Sequence, residues 1–143
     1  MLDSLKRGAR DSYQKAYAPY SNKKVGVAIL TENDEIILGC NVENKITAVR
    51  LCAERNAISS AITKGKEKIT YMVIIGETIE SAIPCDFCRL VINELCISNM
   101  PILLMDTAGR EKLINSKDLK AKESSKEMLK FLVKNIRKEK HED

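Results

Sequence analysis

Two short runs of exclusively apolar residues, YMVIIG at 71–76 and PILLM at 101–105, constrain the fold of this chain most strongly. A run of this length without polar alternation is typical of a strand that is covered on both faces. Two further strands, VGVAIL at 25–30 and IILGC at 36–40, flank a polar turn and predict a hairpin. No apolar run approaches the ~18 residues needed to span a bilayer, so we expect no membrane-spanning helix.

Four segments have the spacing of amphipathic helices. Residues 3–17 and the segment that follows Cys52 carry apolar side chains every three to four positions. Pro84 is predicted to open a third helix, because its fixed φ and missing N–H suit a helix start. Residues 124–140 are predicted to form a lysine-rich C-terminal helix. With the strands, this order indicates a single α/β domain over residues 1–143.

The charge of the chain is unevenly distributed. Residues 1–116 hold 15 Lys and Arg against 14 Asp and Glu, whereas residues 117–143 hold 9 against 6. The near-neutral charge of residues 1–116 argues against a domain that binds a long polyanion such as a nucleic acid, because such a domain needs a basic face. The first residues contain no apolar stretch of the kind found in signal peptides, so a cytoplasmic location is the expectation. Residues 106–123 are the least regular part of the sequence.

Five cysteines and one histidine limit the metal or redox sites that the chain can form. An odd cysteine count without an export signal argues against a disulfide framework. His141 lies in the charged segment KEKHED and is expected to be solvated, so a metal site must use thiolates and carboxylates. Cys40 and Cys96 have no partner at metal-binding spacing and are expected to be small buried apolar residues.

The other three cysteines stand at two predicted helix starts, in Cys52-Ala53-Glu54 and in PCDFC at 84–88. Cys85 and Cys88 are one helical turn apart and share a face. Both helices follow strands or loops that should emerge at one edge of a sheet, so the three thiolates can converge on one ion. Three protein ligands with an open fourth position are the catalytic arrangement of zinc.

The negative charge of such a site suggests functions for the residues next to the ligands. Three thiolates around a dication leave a net negative charge, which two helix N-termini can partly offset. Arg55 and Arg89 each directly follow a residue of the site and are candidate donors behind the ligands. Glu54 is too close to Cys52 in sequence to be a further ligand. Its carboxylate can lie beside a metal-bound water and pass the water's proton to a leaving group.

Cys-x-Glu followed by Pro-Cys-x-x-Cys is the pattern of the zinc deaminases, and the sequence resembles the cytidine deaminase family in its three-cysteine form. The resemblance covers roughly residues 10–105 and rests on APYSNKKVGVAIL (18–30), GCNVEN (39–44), CAERNAI (52–58) and PCDFCR (84–89). It implies a three-layer α-β-α fold with a central mixed five-stranded sheet. It also implies one Zn²⁺ per chain and usually a homotetramer, with a dimer as the alternative.

The same resemblance implies an activity and further site residues. The reaction would be hydrolytic deamination of cytidine or deoxycytidine to uridine or deoxyuridine plus ammonia, as in pyrimidine salvage. Zinc-bound hydroxide would attack C4 of the base, with Glu54 as the proton shuttle. Asn41 and Glu43 would hold the ribose, and the backbone N–H of Ala53 would face the pyrimidine carbonyl.

Several departures from the family pattern affect the expected base pocket. Lys23 stands where the family has a phenylalanine near the base, and KIT at 45–47 replaces Ala-Ser-Tyr. Asp86 and Leu90 depart from the usual PCGxCRQ, and no C-terminal aromatic residue is recognisable. These changes leave the zinc chemistry intact. They keep open a blasticidin S-type aminonucleoside deaminase as the alternative.

Three other classes of protein stay open. A nucleotide or nucleic-acid deaminase would be expected to show salt-dependent binding to the nucleic acid. A structural zinc module would need a fourth protein ligand and gives no role to Glu54. A redox protein built on the CxxC of residues 85–88 would leave the Cys-x-Glu motif unexplained. Zinc content and the effect of Glu54→Gln on turnover separate these classes.

Overall fold

A computed structural model describes residues 1–65 and 68–119, together with positions 130, 133 and 134. Those three positions are helical, and the rest of the lysine-rich helix predicted over 124–140 lies outside the described residues. Within the described ranges, no helix combines the length and the apolar character needed to cross a bilayer.

Five strands form one mixed sheet in the order β2-β1-β3-β4-β5. β1 (Val25–Thr31) and β2 (Ile36–Cys40) form the predicted antiparallel hairpin, and β1 also pairs antiparallel with β3 (Ile69–Gly76). β3 and β4 (Pro101–Asp106) are parallel, and β5 (Glu111–Asn115) runs antiparallel to β4. The mixed five-stranded sheet that the resemblance implied is therefore confirmed.

The fifth strand lies inside the segment 106–123, where the sequence has no regular hydrophobic pattern. Three of the five residues of β5 are exposed and two are half-buried. An edge strand is defined by its hydrogen bonds to one neighbour rather than by burial, so it leaves little trace in the apolar pattern.

Helices cover both faces of the sheet. α1 (Leu2–Lys15) packs on one face, and α2 (Ala53–Thr63) and α3 (Asp86–Leu95) pack on the other. Side chains along β3 and β4 alternate between the two faces. Those directed to the α1 face are Val73, Ile75, Leu103 and Met105, and those directed to the opposite face are Met72, Ile74, Ile102 and Leu104. Burial on both faces explains why the two runs are wholly apolar, and the three layers are as predicted.

One edge of the sheet collects the start of β1 and the ends of β2, β3 and β4. Gly26 pairs with Cys40, Val25 with Gly76, and Gly76 with Asp106. α2 follows β2 and α3 follows β3, so both helices begin after a strand has left this edge. This arrangement brings the starts of α2 and α3 together, as the sequence predicted.

Candidate metal centre

The sulfur atoms of Cys52, Cys85 and Cys88 lie within 4.8 Å of one another. The Sγ of Cys85 is 3.6 Å from that of Cys52 and 3.4 Å from that of Cys88. Tetrahedral zinc with Zn–S bonds of about 2.3 Å requires sulfur atoms ~3.8 Å apart, which is close to these distances. The predicted ligand set is therefore assembled, and its donors fit one Zn²⁺ per chain.

Cys52 is placed by the packing of α2 against β2. It is the N-cap residue of α2, and its carbonyl accepts a hydrogen bond from the N–H of Asn56 at 3.0 Å. The side chain of Asn56 donates to the carbonyl of Cys40 at 3.1 Å, which ties the helix start to the end of β2. Gly39 permits this close approach, because a Cβ there would lie 2.6 Å from the carbonyl oxygen of Ala53. Backbone packing thus fixes the position of the first ligand.

The second pair of ligands stands at the start of α3. Cys85 is the N-cap residue and Cys88 lies in the first turn. The prediction that Pro84 opens this helix is wrong by two residues: α3 begins at Asp86, and the proline directly precedes the N-cap residue, outside the helix. Arg89 donates its N–H to the carbonyl of Cys85 and its Nε to the carbonyl of Pro84, both at 3.0 Å. Arg89 therefore braces the turn that presents Cys85.

Arg55 is the cation that contacts the sulfur cluster. Its Nη2 donates to the Sγ of Cys52 at 3.3 Å, and its guanidinium carbon lies 5.9 Å from the centroid of the Phe87 ring. Burial acts to lower the pKa of this guanidinium, but the hydrogen bond and charge of Cys52 outweigh burial and raise it. The Nε of Arg55 is buried with no hydrogen-bond partner among the residues that the structure describes. Arg55 thus offsets part of the negative charge that thiolates bring.

The three thiols differ in acidity. Hydrogen bonds with Cys52 and Cys88, and with the backbone N–H groups at the start of α3, lower the pKa of Cys85. The hydrogen bond with Cys85, together with burial, raises the pKa of Cys52, and hydrogen bonds with Cys52 and Cys85, together with burial, raise that of Cys88. Cys85 is therefore the most acidic of the three thiols, because it receives hydrogen bonds both from the other two and from backbone N–H groups at the start of α3.

Glu54 lies in the first turn of α2, next to the cluster. Its side chain is buried, with 5% of the residue exposed. Burial raises the pKa of the carboxyl to about 7; a hydrogen bond with Cys88 and the charge of Arg55 oppose this rise. The carboxyl is thus held beside the ligand set, where the sequence predicted it.

Asn41 follows the end of β2, at the same sheet edge. Its Oδ1 accepts the N–H of Val25 at 2.8 Å, and its Nδ2 donates to the carbonyl of Lys23 at 2.9 Å. The side chain therefore joins the end of β2 to the start of β1. Its contact with a sugar stays a prediction.

Glu43 is held by the segment before β1. Its Oε1 accepts the N–H groups of Tyr20 and Ser21, both at 3.1 Å, and its Oε2 accepts the hydroxyl of Ser21 at 2.6 Å. Burial acts to raise the pKa of this carboxyl, but these hydrogen bonds and the charge of Arg50 outweigh burial and lower it. The sequence reasoning did not single out Ser21 or Arg50. Arg50 lies two residues before Cys52, and no motif marks it.

The remaining predicted residues are placed as follows. Ala53 is the first residue of α2 and is buried, in a turn whose N–H groups have no partner within the helix. Cys96 packs against the core, and burial raises its pKa to about 12. Cys40 and Cys96 are both half-buried, so the expectation of small buried residues is met only in part.

Comparison with known proteins agrees with this site. The family model described as the cytidine and deoxycytidylate deaminase zinc-binding region matches residues 2–104. A cytidine deaminase of Sporosarcina psychrophila is 34% identical over 108 residues, which cover 76% of this chain and 79% of that protein. A blasticidin-S deaminase of Bacillus cereus is 33% identical over 78 residues, which cover 49% of this chain and 56% of that protein.

Solved structures give the same result. The crystal structure of cytidine deaminase from Burkholderia pseudomallei matches with a TM-score of 0.78 at 36% identity, over 83% of this chain and 95% of that one. Cytidine deaminase from Mycobacterium leprae matches with a TM-score of 0.69 at 29% identity, over 82% and 95%. Because the family model spans most of the sequence and the predicted thiolates meet in the fold, the chain belongs to the cytidine and deoxycytidylate deaminase family of zinc-dependent hydrolases, which act on C–N bonds.

Proposed function

We propose that this chain deaminates a cytosine nucleoside, converting cytidine or deoxycytidine to uridine or deoxyuridine with release of ammonia. The observation that carries the proposal is the buried carboxyl of Glu54, two residues after the ligand Cys52 and in contact with the ligand Cys88. A zinc site that served only the fold would give this group no task. Burial of a carboxyl group costs folding free energy, so the burial of Glu54 favours a catalytic role over a purely structural one.

The mechanism assigns a separate task to each residue around the cluster. The three cysteines would hold the zinc ion, which would supply Lewis-acid activation of the attacking water. In this proposal Glu54 takes the proton of the attacking water, delivers it to N3 of the base, and then assists departure of the amino group as ammonia. Arg55 and the N-termini of α2 and α3 stabilise the charge that the thiolates concentrate.

The substrate contacts that we propose lie at the same sheet edge. The backbone N–H of Ala53, in the first turn of α2, donates to the carbonyl of the pyrimidine. Asn41 and Glu43 accept and orient the hydroxyl groups of the sugar. A hydroxyl bound to an ionised carboxylate makes a strong, charge-assisted hydrogen bond, so a substrate with a sugar is favoured over the free base.

A blasticidin S-type substrate is the second candidate. The relative from Bacillus cereus and the lysine at position 23, in place of an apolar ring, favour it. A cation beside the pocket can hold a substrate that carries an acidic group, whereas a phenyl ring cannot. We expect no deamination of a nucleic acid, because residues 1–116 are nearly neutral and offer no strongly basic binding face.

The test is a deamination screen that measures ammonia release from cytidine, deoxycytidine, blasticidin S and methylated cytosine nucleosides. Glu54→Gln is expected to lower turnover by about 10²- to 10⁴-fold while zinc stays bound, since a general acid-base group contributes that much. Glu94→Gln, at an exposed position of α3, is the matched control and keeps full activity. Full turnover by Glu54→Gln would contradict the proposed mechanism.

The assembly, location and pathway stay predictions. A homotetramer, or a dimer, is supported by an exposed apolar patch formed by Tyr17, Val42 and Leu51, which adjoin through isolated β-bridges. Such a patch is typical of an interface. Light scattering measures the assembly directly. A cytoplasmic location, a single domain over residues 1–143 and a role in pyrimidine salvage are further proposals, which rest on the sequence pattern and the family resemblance.

A further inference from the structure

Arg50 lies between the carboxylate proposed to bind the sugar and the thiolate cluster. Its Nη1 is 3.7 Å from Oε2 of Glu43. Its backbone carbonyl accepts a hydrogen bond from Arg55 at 3.4 Å, and Arg55 also donates to Cys52. A single residue therefore connects the two halves of the site.

The guanidinium of Arg50 is held in place by the loop that links β2 to α2. Its Nε donates to the carbonyl of Asn44 at 2.9 Å, and its carbon lies 5.4 Å from the centroid of the Tyr20 ring. Tyr20 also donates its N–H to Glu43. The planar group thus has a fixed orientation relative to the carboxylate, which a flexible surface arginine would not have.

The hydrogen bonds of Glu43 leave room for a ligand. An ionised carboxylate has about four acceptor positions. Two N–H groups occupy Oε1, and the hydroxyl of Ser21 occupies one position on Oε2. At 3.7 Å, Arg50 supplies charge rather than a hydrogen bond. One position on Oε2 therefore remains for a hydroxyl group.

Burial makes the charge of Arg50 important. Only 8% of the Glu43 side chain is exposed, against 27% of the Arg50 side chain. A buried carboxylate that loses its counter-charge is strongly destabilised. Without Arg50, the three hydrogen bonds from Tyr20 and Ser21 remain, but the carboxylate loses the cation beside Oε2 and is expected to bind a hydroxyl group less well.

We propose that Arg50 is a positioning residue that holds the Glu43 carboxylate in the orientation required to bind a sugar hydroxyl of the substrate. The inference rests on the proposed function, in which Glu43 contacts the sugar. It predicts that removal of Arg50 weakens the binding only of those substrates that carry the sugar hydroxyl groups.

The experiment compares cytidine with 2′,3′-dideoxycytidine in the zinc-loaded wild type, Arg50→Gln and Arg50→Lys. For Arg50→Gln, kcat/KM on cytidine is expected to fall about tenfold, mainly through KM, since a charged hydrogen bond is worth that much or more. On dideoxycytidine the value stays within about twofold. Arg50→Lys keeps the positive charge, so its kcat/KM on cytidine is expected to lie between those of the wild type and Arg50→Gln. Calorimetric binding of uridine and 2′,3′-dideoxyuridine gives the same comparison without turnover.

Arg110→Gln is the matched control. Arg110 pairs with Asp106 through a similarly long contact of 3.9 Å between Nε and Oδ2, and its side chain is 80% exposed. This variant is expected to match the wild type on both substrates. If Arg50→Gln does not fold, Arg50→Lys carries the comparison, with a smaller loss that is still confined to cytidine.

The possible failures can be told apart. An equal loss on both substrates, or unchanged uridine binding by a folded Arg50→Gln, overturns the inference and leaves the proposed function standing. A zinc-loaded wild type that deaminates no cytosine nucleoside refutes the proposed function, and the inference falls with it.

Discussion

Gly39→Ala tests whether the packing of α2 on β2 fixes the metal ligands. A Cβ at this position would lie 2.6 Å from the carbonyl oxygen of Ala53 and from the amide nitrogen of Ala57. Both are backbone atoms of α2, so no side-chain rotation relieves the contact. Since ordinary contact begins at 3.4 Å, the start of the helix must move by about 0.8 Å.

The expected effects follow from that displacement. Overpacking of a well-packed contact lowers stability by about 1–3 kcal/mol. Cys52 directly precedes Ala53, so the shift is transmitted to a metal ligand and to Glu54. A misplacement of this size in a catalytic site can lower the rate by about 10²-fold. We therefore expect weakened zinc retention and a loss of turnover that exceeds the loss of folded protein.

Gly8→Ala is the matched control, because its Cβ would also meet an atom at 2.6 Å. That atom is Cδ2 of Leu38, the end of a flexible side chain that can rotate away. Gly8 lies within α1, where alanine favours the helix by up to about 1 kcal/mol. Denaturant unfolding, zinc per chain and turnover are measured for both variants. Wild-type stability and turnover in Gly39→Ala, or equal damage in Gly8→Ala, would refute the reasoning.

Two further predictions concern acid stability and the metal. Ser21→Ala removes a hydrogen bond that keeps the pKa of Glu43 below its ordinary 4.5, and should lower stability by about 1–2 kcal/mol at pH 7. Because folding lowers the pKa of Glu43, the stabilisation is fully present above pH 4.5 and is lost as the pH falls through the pKa of the folded state. If the difference in urea unfolding between Ser21→Ala and the wild type does not change with pH, this prediction is contradicted. Chelation of zinc should lower Tm and speed alkylation most at the exposed Cys85, an effect that zinc but not magnesium reverses. An unchanged alkylation pattern by mass spectrometry would count against a thiolate metal site.

The parts of the fold that could be predicted have local and unambiguous patterns. The hairpin shows two apolar runs around a polar turn, and α2 shows helical spacing that ends at a glycine. Strand β5 could not be predicted from its own pattern, since an exposed edge strand has no buried face to shape its composition. The family resemblance supplied that strand instead.

The residues of the site likewise fall into those that the sequence pattern could predict and those that it could not. The three thiolates and Glu54 stand in motifs whose spacing states their chemistry, so they could be predicted. Arg50 could not, because the role proposed for it rests on contacts with Glu43 and Asn44 that only the folded loop brings together. The exact start of α3 was also missed, because a proline fits both the first helical position and the chain just before the N-cap.

The burial of the three ligands is graded, so the three sulfur atoms differ in their access to solvent. Cys88, in the first turn of α3, is fully buried, Cys52 is half-buried, and Cys85 is exposed. Among the three ligands, Cys85 is the one most open to solvent, so an incoming ion or chelator is expected to meet it first. Cys88 is part of the folded interior, so its bond to the metal is broken only when the domain opens. The exposed Cys85 would therefore be the first ligand to exchange, while complete release of zinc would wait for the interior to open at Cys88.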